Sequence, residues 1–338
     1  MRTIFDLEQK MCAPSEKLVK DLSRINGDIM ILGVGGKMGP TLAKLAKNAV
    51  DQLPHPKKIY AVSRFTKGSL QQELEACGIE TIAADLLDER QLDQLPNVKN
   101  IIYMVGHKFG TTGHEHFTWA MNAYLPGRIA EKFKDSRIVS FSTGNVYPFS
   151  SVKEGGATEE DSTGPVGEYA QSCLGRERIW SYYSYKYNIP QLHFRLNYAI
   201  DLRYGVLLEI AKAVKEGKPI DITMGHVNVI WQGDANEMAI RSLLYCSTPP
   251  EVLNVTGPET LSIRWVAEQF GTMFNVTPIF TGQEQDTALL SNASKAHKWF
   301  GYPQVTMLEM IEWTAEWILH NGEVIDKPTH FQEREGKY

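Results

Sequence analysis

Short apolar runs separated by amphipathic stretches set the rhythm of the first half of the chain. Residues 28–32, 58–63, 80–83, 100–105 and 136–141 are strand-length runs carrying Ile, Val, Tyr or Phe. Between them, 41–50 and 70–77 repeat apolar residues at helical spacing. Runs bounded by helical patterns predict βαβ units around a parallel sheet covered on both faces. Right-handed crossovers then bring the strand carboxyl ends, and the ligand crevice with them, to one edge. Ahead of the first strand, Ser15 is placed to N-cap a helix on which Leu18, Leu22 and Ile25 share a face, ended by Asn26-Gly27.

The C-terminal part alternates less regularly. Strand-like 191–196 is followed by helix 206–216, an apolar run at 227–231, helix 235–246, strand 252–255 and helices 263–274 and 307–320. Trp313 and Trp317 sit one helical turn apart in the last of these and read as core or docking residues. The polar stretch 150–167 is a long loop, and loops of that length are often functional.

The run 28–32 leads directly into Gly33, Gly35, Gly36 and Gly39, and a helical pattern follows. Such a turn points the free N–H groups of the next helix at a phosphate. Gly33 permits a tight turn, Gly36 lets the backbone approach a pyrophosphate, and Gly39 lets helix and strand pack closely. Met38 stands where the commonest dinucleotide fingerprint has its last glycine, so the spacing is G-x-x-G-x-x-G.

Composition narrows the setting. The 338 residues leave room for about two domains, with 43% hydrophobic and 22% charged residues. A formal net charge of −5 argues against general affinity for nucleic acid or anionic membranes. Nowhere does an apolar run approach the ~20 residues of a membrane span, and the first residues lack a signal-peptide core. The four cysteines are far apart, which suggests neither disulfides nor zinc, and a cytoplasmic location is expected. His114 and His116 are two apart and diverge on a helix, so no metal site is expected.

In order and spacing these features resemble the extended short-chain dehydrogenase/reductase family, the epimerase and dehydratase group, over about residues 28–320. The glycine turn matches the family spacing, and Asp85-Leu86 matches its acidic-apolar pair against adenine. The strand ending at Val105-Gly106 matches the one lying along the cofactor, and Asn122 matches a helix asparagine. Ser142-Thr143-Gly144-Asn145-Val146-Tyr147 is similar to the S-[ST]-x-x-V-Y segment, which implies that Thr143 is the catalytic Ser/Thr. Tyr169 takes the place of the catalytic tyrosine. The resemblance implies a Rossmann-type, doubly wound α/β fold with a parallel sheet and a smaller C-terminal α/β substrate domain. The expected division is a helical extension at 1–27, a dinucleotide-binding domain at 28–196 and a mainly substrate-binding part at 197–338, of which 227–246 returns to the first.

One position departs from the family. Its Y-x-x-x-K pair has cysteine here, Cys173, in place of lysine. A second such pair, Tyr182 and Lys186, lies at the end of the helix and reads as a surface decoy. The missing ammonium matters because a free phenol titrates near 10, so a phenolate at neutral pH is only ~0.1% populated, a cost of ~4 kcal/mol. Tyr169 then works as a neutral acid or hydrogen-bond donor with Thr143, and Lys108 is placed to lend the charge. The alternative is a protein that binds a dinucleotide but has lost turnover, a sensor or scaffold.

The second strand ends in Ser63-Arg64 where NAD-preferring members carry an acid. With Lys37 in the glycine turn, this favours NADP over NAD. Cofactor contacts are expected from Gly33, Gly36, Lys37, Met38, Gly39, Ser63, Arg64, Asp85, Leu86, Val105, Gly106 and Tyr169, and substrate contacts from His107, Lys108 and Asn145. Residues 225–233 contain no arginine of the kind that holds a nucleotide-sugar diphosphate. A small sugar, sugar acid or polyol, oxidised, reduced or epimerised at a carbinol, is therefore the expected substrate, with a nucleotide-sugar the alternative. Homodimerisation through the Tyr169 helix is a further implication of the resemblance.

Overall fold

In a computed structural model, which describes residues 1–66, 68–108, 110–325 and 327–337, seven strands form one sheet. In chain order they are β1 (Ile29–Leu32), β2 (Ile59–Ser63), β3 (Glu80–Ala83), β4 (Asn100–Tyr103), β5 (Arg137–Thr143), β6 (Gln191–Leu196) and β7 (Glu251–Val255). They lie side by side as β7-β6-β5-β4-β1-β2-β3 and pair in parallel throughout. The chain builds outward from β1 in one direction, then returns to β4 and builds the other way. The gap between the ends of β1 and β4 is thus a topological switch point, where open sheets of this type bind ligands.

The apolar runs form strands because both faces of the sheet are covered. Ile29 and Ile31 of β1 join one hydrophobic cluster, Met30 and Leu32 the cluster on the opposite face, and all four are fully buried. The runs at 80–83 and 191–196 have the expected limits. β5 extends past 141 to Thr143 because its register with β6 continues to the pair Thr143–Leu196.

Two expectations change. The run 227–231 is not one strand: His226–Val227 pairs antiparallel with Leu261–Ser262, and Ile230–Trp231 pairs in parallel with Ala199–Ile200. The N-terminal stretch is two helices, not one. Glu16–Ser23 is capped by Ser15 as expected, and Ile4–Cys12 precedes it with a capping box from Thr3 and Asp6. Leu7 and Met11 of the first helix pack with Leu207, Phe270, Ile311 and Trp317 in a separate C-terminal cluster, whereas Leu18 and Leu22 join the sheet. Helix Gln232–Arg241 also packs on the sheet, through Ala235, Met238 and Ala239. The polar loop is pinned rather than loose: Ser150–Ser151 pairs with Thr287–Ala288, and Glu159 accepts the backbone N–H of Asn254 at 2.7 Å. Among the described residues no helix is long and apolar enough to cross a membrane.

Candidate functional site

Two neighbouring cavities open at the carboxyl edge of the sheet. The larger, of about 400 Å³, is lined by Gly33, Gly35 and Gly36, by Ser63 to Thr66, by Asp85 to Leu87 and by Val105-Gly106. Each glycine has a measurable reason to be there. Gly33 has φ +88°, and a Cβ on it would lie 2.9 Å from the Val105 backbone nitrogen, so the turn closes against the end of β4. On Gly39 a Cβ would sit 2.2 Å from the Val34 carbonyl oxygen. Around Gly36 the space is open, the nearest atom being the Gly33 carbonyl oxygen at 3.6 Å. Helix Gly39–Val50 begins there without a side-chain cap, so its first N–H groups face the crevice unclaimed by one. A dinucleotide phosphate fits that cradle.

Ser63, Arg64, Asp85, Leu86, Val105 and Gly106 all line this crevice, with Arg64 exposed at its rim. The Asp85 carboxylate accepts the Leu87 N–H at 3.0 Å and so shapes the turn after β3. Phe65 lines the same wall at φ +45°, a backbone conformation that is strained for an aromatic residue.

The smaller cavity, about 230 Å³, holds Lys37, Met38, Lys108, Thr143, Tyr169 and Tyr204 in its walls. Lys37 is the main surprise. Although it follows Gly36, its ammonium donates to the Ala199 carbonyl at 3.0 Å and lies 3.8 Å from the centre of the Tyr204 ring. Lys37 was expected to add positive charge at the glycine turn; its side chain instead reaches Ala199 and Tyr204 in the C-terminal part of the chain. Burial, partly offset by the charge of Asp201, pushes Lys37 down to about 7. Lys108 approaches from the loop after β4, its ammonium 5.6 Å from the centre of the Tyr169 ring. Burial also lowers Lys108, to about 8, against the pull of Cys173 and Glu209.

Thr143 is half-buried at the end of β5, and its hydroxyl accepts the Asn145 N–H at 3.2 Å. Tyr169 lies in the first turn of helix Gly167–Tyr187. Cys173, one turn on, is fully buried. Burial raises its thiol, while the charge of Arg176 and a hydrogen bond with Tyr169 pull the other way. A buried, protonated thiol of this kind is a small packing group. Tyr182 and Lys186 are exposed, as expected of surface residues.

Two residues expected to touch substrate are placed differently. The His107 ring packs edge-on against Phe117, 5.1 Å between centres, and its backbone is clamped by Asn122. Neither His107 nor Asn145 is among the residues lining the two cavities. Asn122 lies in a π-helical turn, Ala120–Tyr124, which places its amide against both neighbours. The amide accepts the His107 N–H at 2.8 Å and donates to Ser172 at 2.9 Å. His114 and His116 rings are 6.3 Å apart, and among the described residues no group of three or more His, Cys, Asp and Glu is placed to hold a metal ion.

Beneath the site lie charges that sequence spacing did not single out. Arg176 is buried under Gly106, donating to the Phe141 carbonyl at 2.8 Å and to the Asn122 amide oxygen at 2.6 Å. Glu177 and Arg195 form a buried bidentate pair at 2.9 and 2.6 Å. Ser142 donates to Glu177 at 2.5 Å, and Arg195 donates to the Tyr147 hydroxyl at 2.6 Å. The pair thereby ties the Tyr169 helix, β6 and the Ser142-Thr143 strand end together. Arg203, Arg241 and Arg264 are engaged by Asp201, by Asp21 and Glu237, and by Glu284 respectively.

Several solved structures share this architecture. A dTDP-glucose 4,6-dehydratase from Streptomyces venezuelae, solved with NAD, superposes with a TM-score of 0.72 at 17% identity, over 87% of this chain and 97% of that one. The fold is theirs. A UDP-glucose 4-epimerase from Thermus thermophilus, also with NAD, gives 0.70 at 17% identity, over 88% of this chain and 100% of its own. A UDP-glucuronic acid 4-epimerase from Bacillus cereus gives 0.70 at 18%, over 87% and 99%. No family model and no curated protein sequence matches the chain. The expected Rossmann-type α/β architecture is thus shown by the strand order and by these superpositions.

Proposed function

We propose that the protein is an NAD(P)-dependent oxidoreductase or epimerase of the extended short-chain type, acting at a hydroxyl or carbonyl carbon of a small sugar-like compound. The observation that carries this is that Thr143, Tyr169 and Lys108 line one cavity adjoining the glycine crevice. Consecutive residues, Gly36 and Lys37, line the one and then the other. When bound, the nicotinamide supplies hydride exchange. Gly33, Gly36, Met38 and Gly39 shape the phosphate cradle, Asp85 and Leu86 lie beside the adenine end, and Val105-Gly106 forms the floor. Thr143 and Tyr169 hold the substrate oxygen, and the Tyr169 phenol gives or takes its proton. Lys108 supplies the positive potential that Cys173 cannot, through space rather than from the next helical turn.

Support for NADP over NAD rests on Ser63 and Arg64, since guanidinium groups bind phosphate bidentately; the structural neighbours were solved with NAD. A substrate without a nucleotide is favoured by the absence of arginine in 225–233. Those same neighbours act on nucleotide sugars and keep that reading as the alternative. The exposed rings of Tyr124, Tyr182 and Tyr185 on two adjacent helices support a homodimer. Mass spectrometry of small molecules retained by natively purified protein, followed by steady-state assays on a panel of carbonyl and polyol substrates, tests the proposal. Turnover with either cofactor supports it. Retained cofactor with no turnover across the panel overturns it in favour of a dinucleotide sensor.

A further inference from the structure

Residues 329–336 lie against both groups that the proposed chemistry needs. Thr329 is buried and lines the smaller cavity together with Lys108, Thr143 and Tyr169. Its backbone carbonyl accepts the Lys108 ammonium at 3.4 Å, and that ammonium lies 5.6 Å from the centre of the Tyr169 ring. Farther along, Gly336 abuts the start of the Tyr169 helix, where a Cβ on Gly167 would lie 2.4 Å from the Gly336 carbonyl oxygen. The segment has no helix or strand of its own, so side chains must fix its path against its conformational entropy. Glu209, in the first turn of helix Val206–Lys215, accepts the Thr329 backbone N–H and, at 2.9 Å, the Thr329 hydroxyl. The same hydroxyl accepts the Phe331 N–H at 3.2 Å, and Phe331 is buried in the C-terminal cluster. Arg334 donates to the Thr287 carbonyl at 2.9 Å and to its hydroxyl at 2.6 Å, with the guanidinium 4.4 Å from the centre of the Phe149 ring.

From this geometry we infer that Glu209 is a positioning residue: by clamping Thr329 it fixes the carbonyl that keeps the Lys108 ammonium against Tyr169. The inference rests on the enzymatic reading above, in which that ammonium supplies the charge that Cys173 cannot. A lysine side chain has many rotamers, and the influence of its charge on a phenol weakens with distance and with hydration. Holding the carbonyl partner still confines the ammonium to the place where it helps the phenol. Glu209 is not among the residues lining either cavity, so its action on the site passes through Thr329.

Two effects of Glu209 on Lys108 differ in sign. Its carboxylate favours the charged ammonium, whereas the burial that its clamp maintains disfavours it. The other titratable groups facing Lys108 are Lys37 from the glycine turn, and Tyr169 and Cys173 from the helix Gly167–Tyr187. Removing the carboxylate charge alone therefore lowers Lys108 further. Releasing the clamp instead lets water reach the ammonium and raises it toward the ordinary lysine value.

Competitive acetylation of the full chain with acetic anhydride, followed at Lys108 by mass spectrometry from pH 6 to 11, tests this, with the exposed Lys153 as internal reference. Lys108 is expected to titrate at about 8 in the parent. Glu209→Gln, which keeps an acceptor for Thr329, is expected to titrate below the parent, and Glu209→Leu at least about one pH unit above it. Thr329→Val, which removes only the hydroxyl, is expected to move in the same direction as Glu209→Leu by less, and circular dichroism checks that each variant folds. On a substrate that the parent turns over at pH 6.5, Glu209→Leu is expected to lower kcat about ten-fold or more with the cofactor KM unchanged, and Glu209→Gln to recover most of it. No upward movement in either Glu209→Leu or Thr329→Val overturns the inference, as does an unchanged kcat in Glu209→Leu. A parent with no turnover on any substrate defeats the enzymatic reading instead, and the acetylation titration then decides by itself whether Glu209 holds Lys108.

Discussion

Replacing Arg195 by methionine isolates what the buried pair beneath the site contributes. The guanidinium makes two hydrogen bonds to Glu177 and one to the Tyr147 hydroxyl, at 2.9, 2.6 and 2.6 Å, and lies 4.8 Å from the Tyr147 ring. Without it the Glu177 side chain, 3% exposed, keeps only the Ser142 hydroxyl as a described side-chain partner. Removing one member of a buried pair costs about 3–5 kcal/mol, because the remaining charge is stranded. At a urea dependence of about 3 kcal/mol per molar, the unfolding midpoint falls by roughly 1–1.7 M. In the parent, burial pushes the Glu177 carboxyl up, but the hydrogen bonds and charge of Arg195 outweigh it and hold the group below the usual range. Its contribution is therefore present above the ordinary glutamate value and lost as pH falls through the lowered one. In Arg195→Met the carboxyl instead titrates above the ordinary value, so protonation relieves the penalty. Urea titrations from pH 8 to 5 are expected to show the gap between variant and parent shrinking, and Arg195→Met with Glu177→Leu to recover most of it. A gap under about 1 kcal/mol at pH 7, or one constant with pH, would refute this account of the pair.

Other perturbations address the chemistry. Tyr169→Phe is expected to lower kcat by about 10²–10⁴-fold with the cofactor Kd unchanged, the signature of a lost proton donor; unchanged turnover removes Tyr169 from the reaction. Gly39→Ala forces a Cβ to within 2.2 Å of the Val34 carbonyl oxygen, and NADPH titration is expected to show at least ten-fold weaker binding. If the affinity holds, the glycine turn is not the phosphate cradle. Arg64→Ala is expected to raise the KM for NADP while sparing that for NAD; equal effects on both place Arg64 outside the 2′-phosphate contact.

Much of the frame was legible in one dimension because its signals are local. Apolar runs such as 29–32 read as doubly covered strands, Ser15 as a cap, and the glycine turn as a strand-to-helix junction, since each depends on neighbours a few residues away. The extra helix Ile4–Cys12 was missed because, of its apolar residues, only Leu7, Met11 and Cys12 are buried, and the cluster that covers them is supplied by the C-terminal part, far along the chain. Lys108 as a charge near Tyr169 was readable from its place after β4. His107 was not separable from it, since only the packing of its ring on Phe117 removes it from the cavity walls.

What the sequence by itself determined is the parallel sheet, the crevice at its edge and the order of the residues that surround it: periodicity and glycine spacing act through backbone geometry. Only the tertiary structure decided where the charges fall. Lys37 directly follows a glycine that faces the larger cavity, yet its ammonium crosses to Ala199 in the smaller one. Arg176 and the Glu177–Arg195 pair gain meaning only when helix, β5 and β6 are brought together. A long charged side chain has several rotamers and can be directed to either side of its element, and burial with its nearest opposite charge selects among them. Those partners belong to the fold, not to the neighbouring sequence.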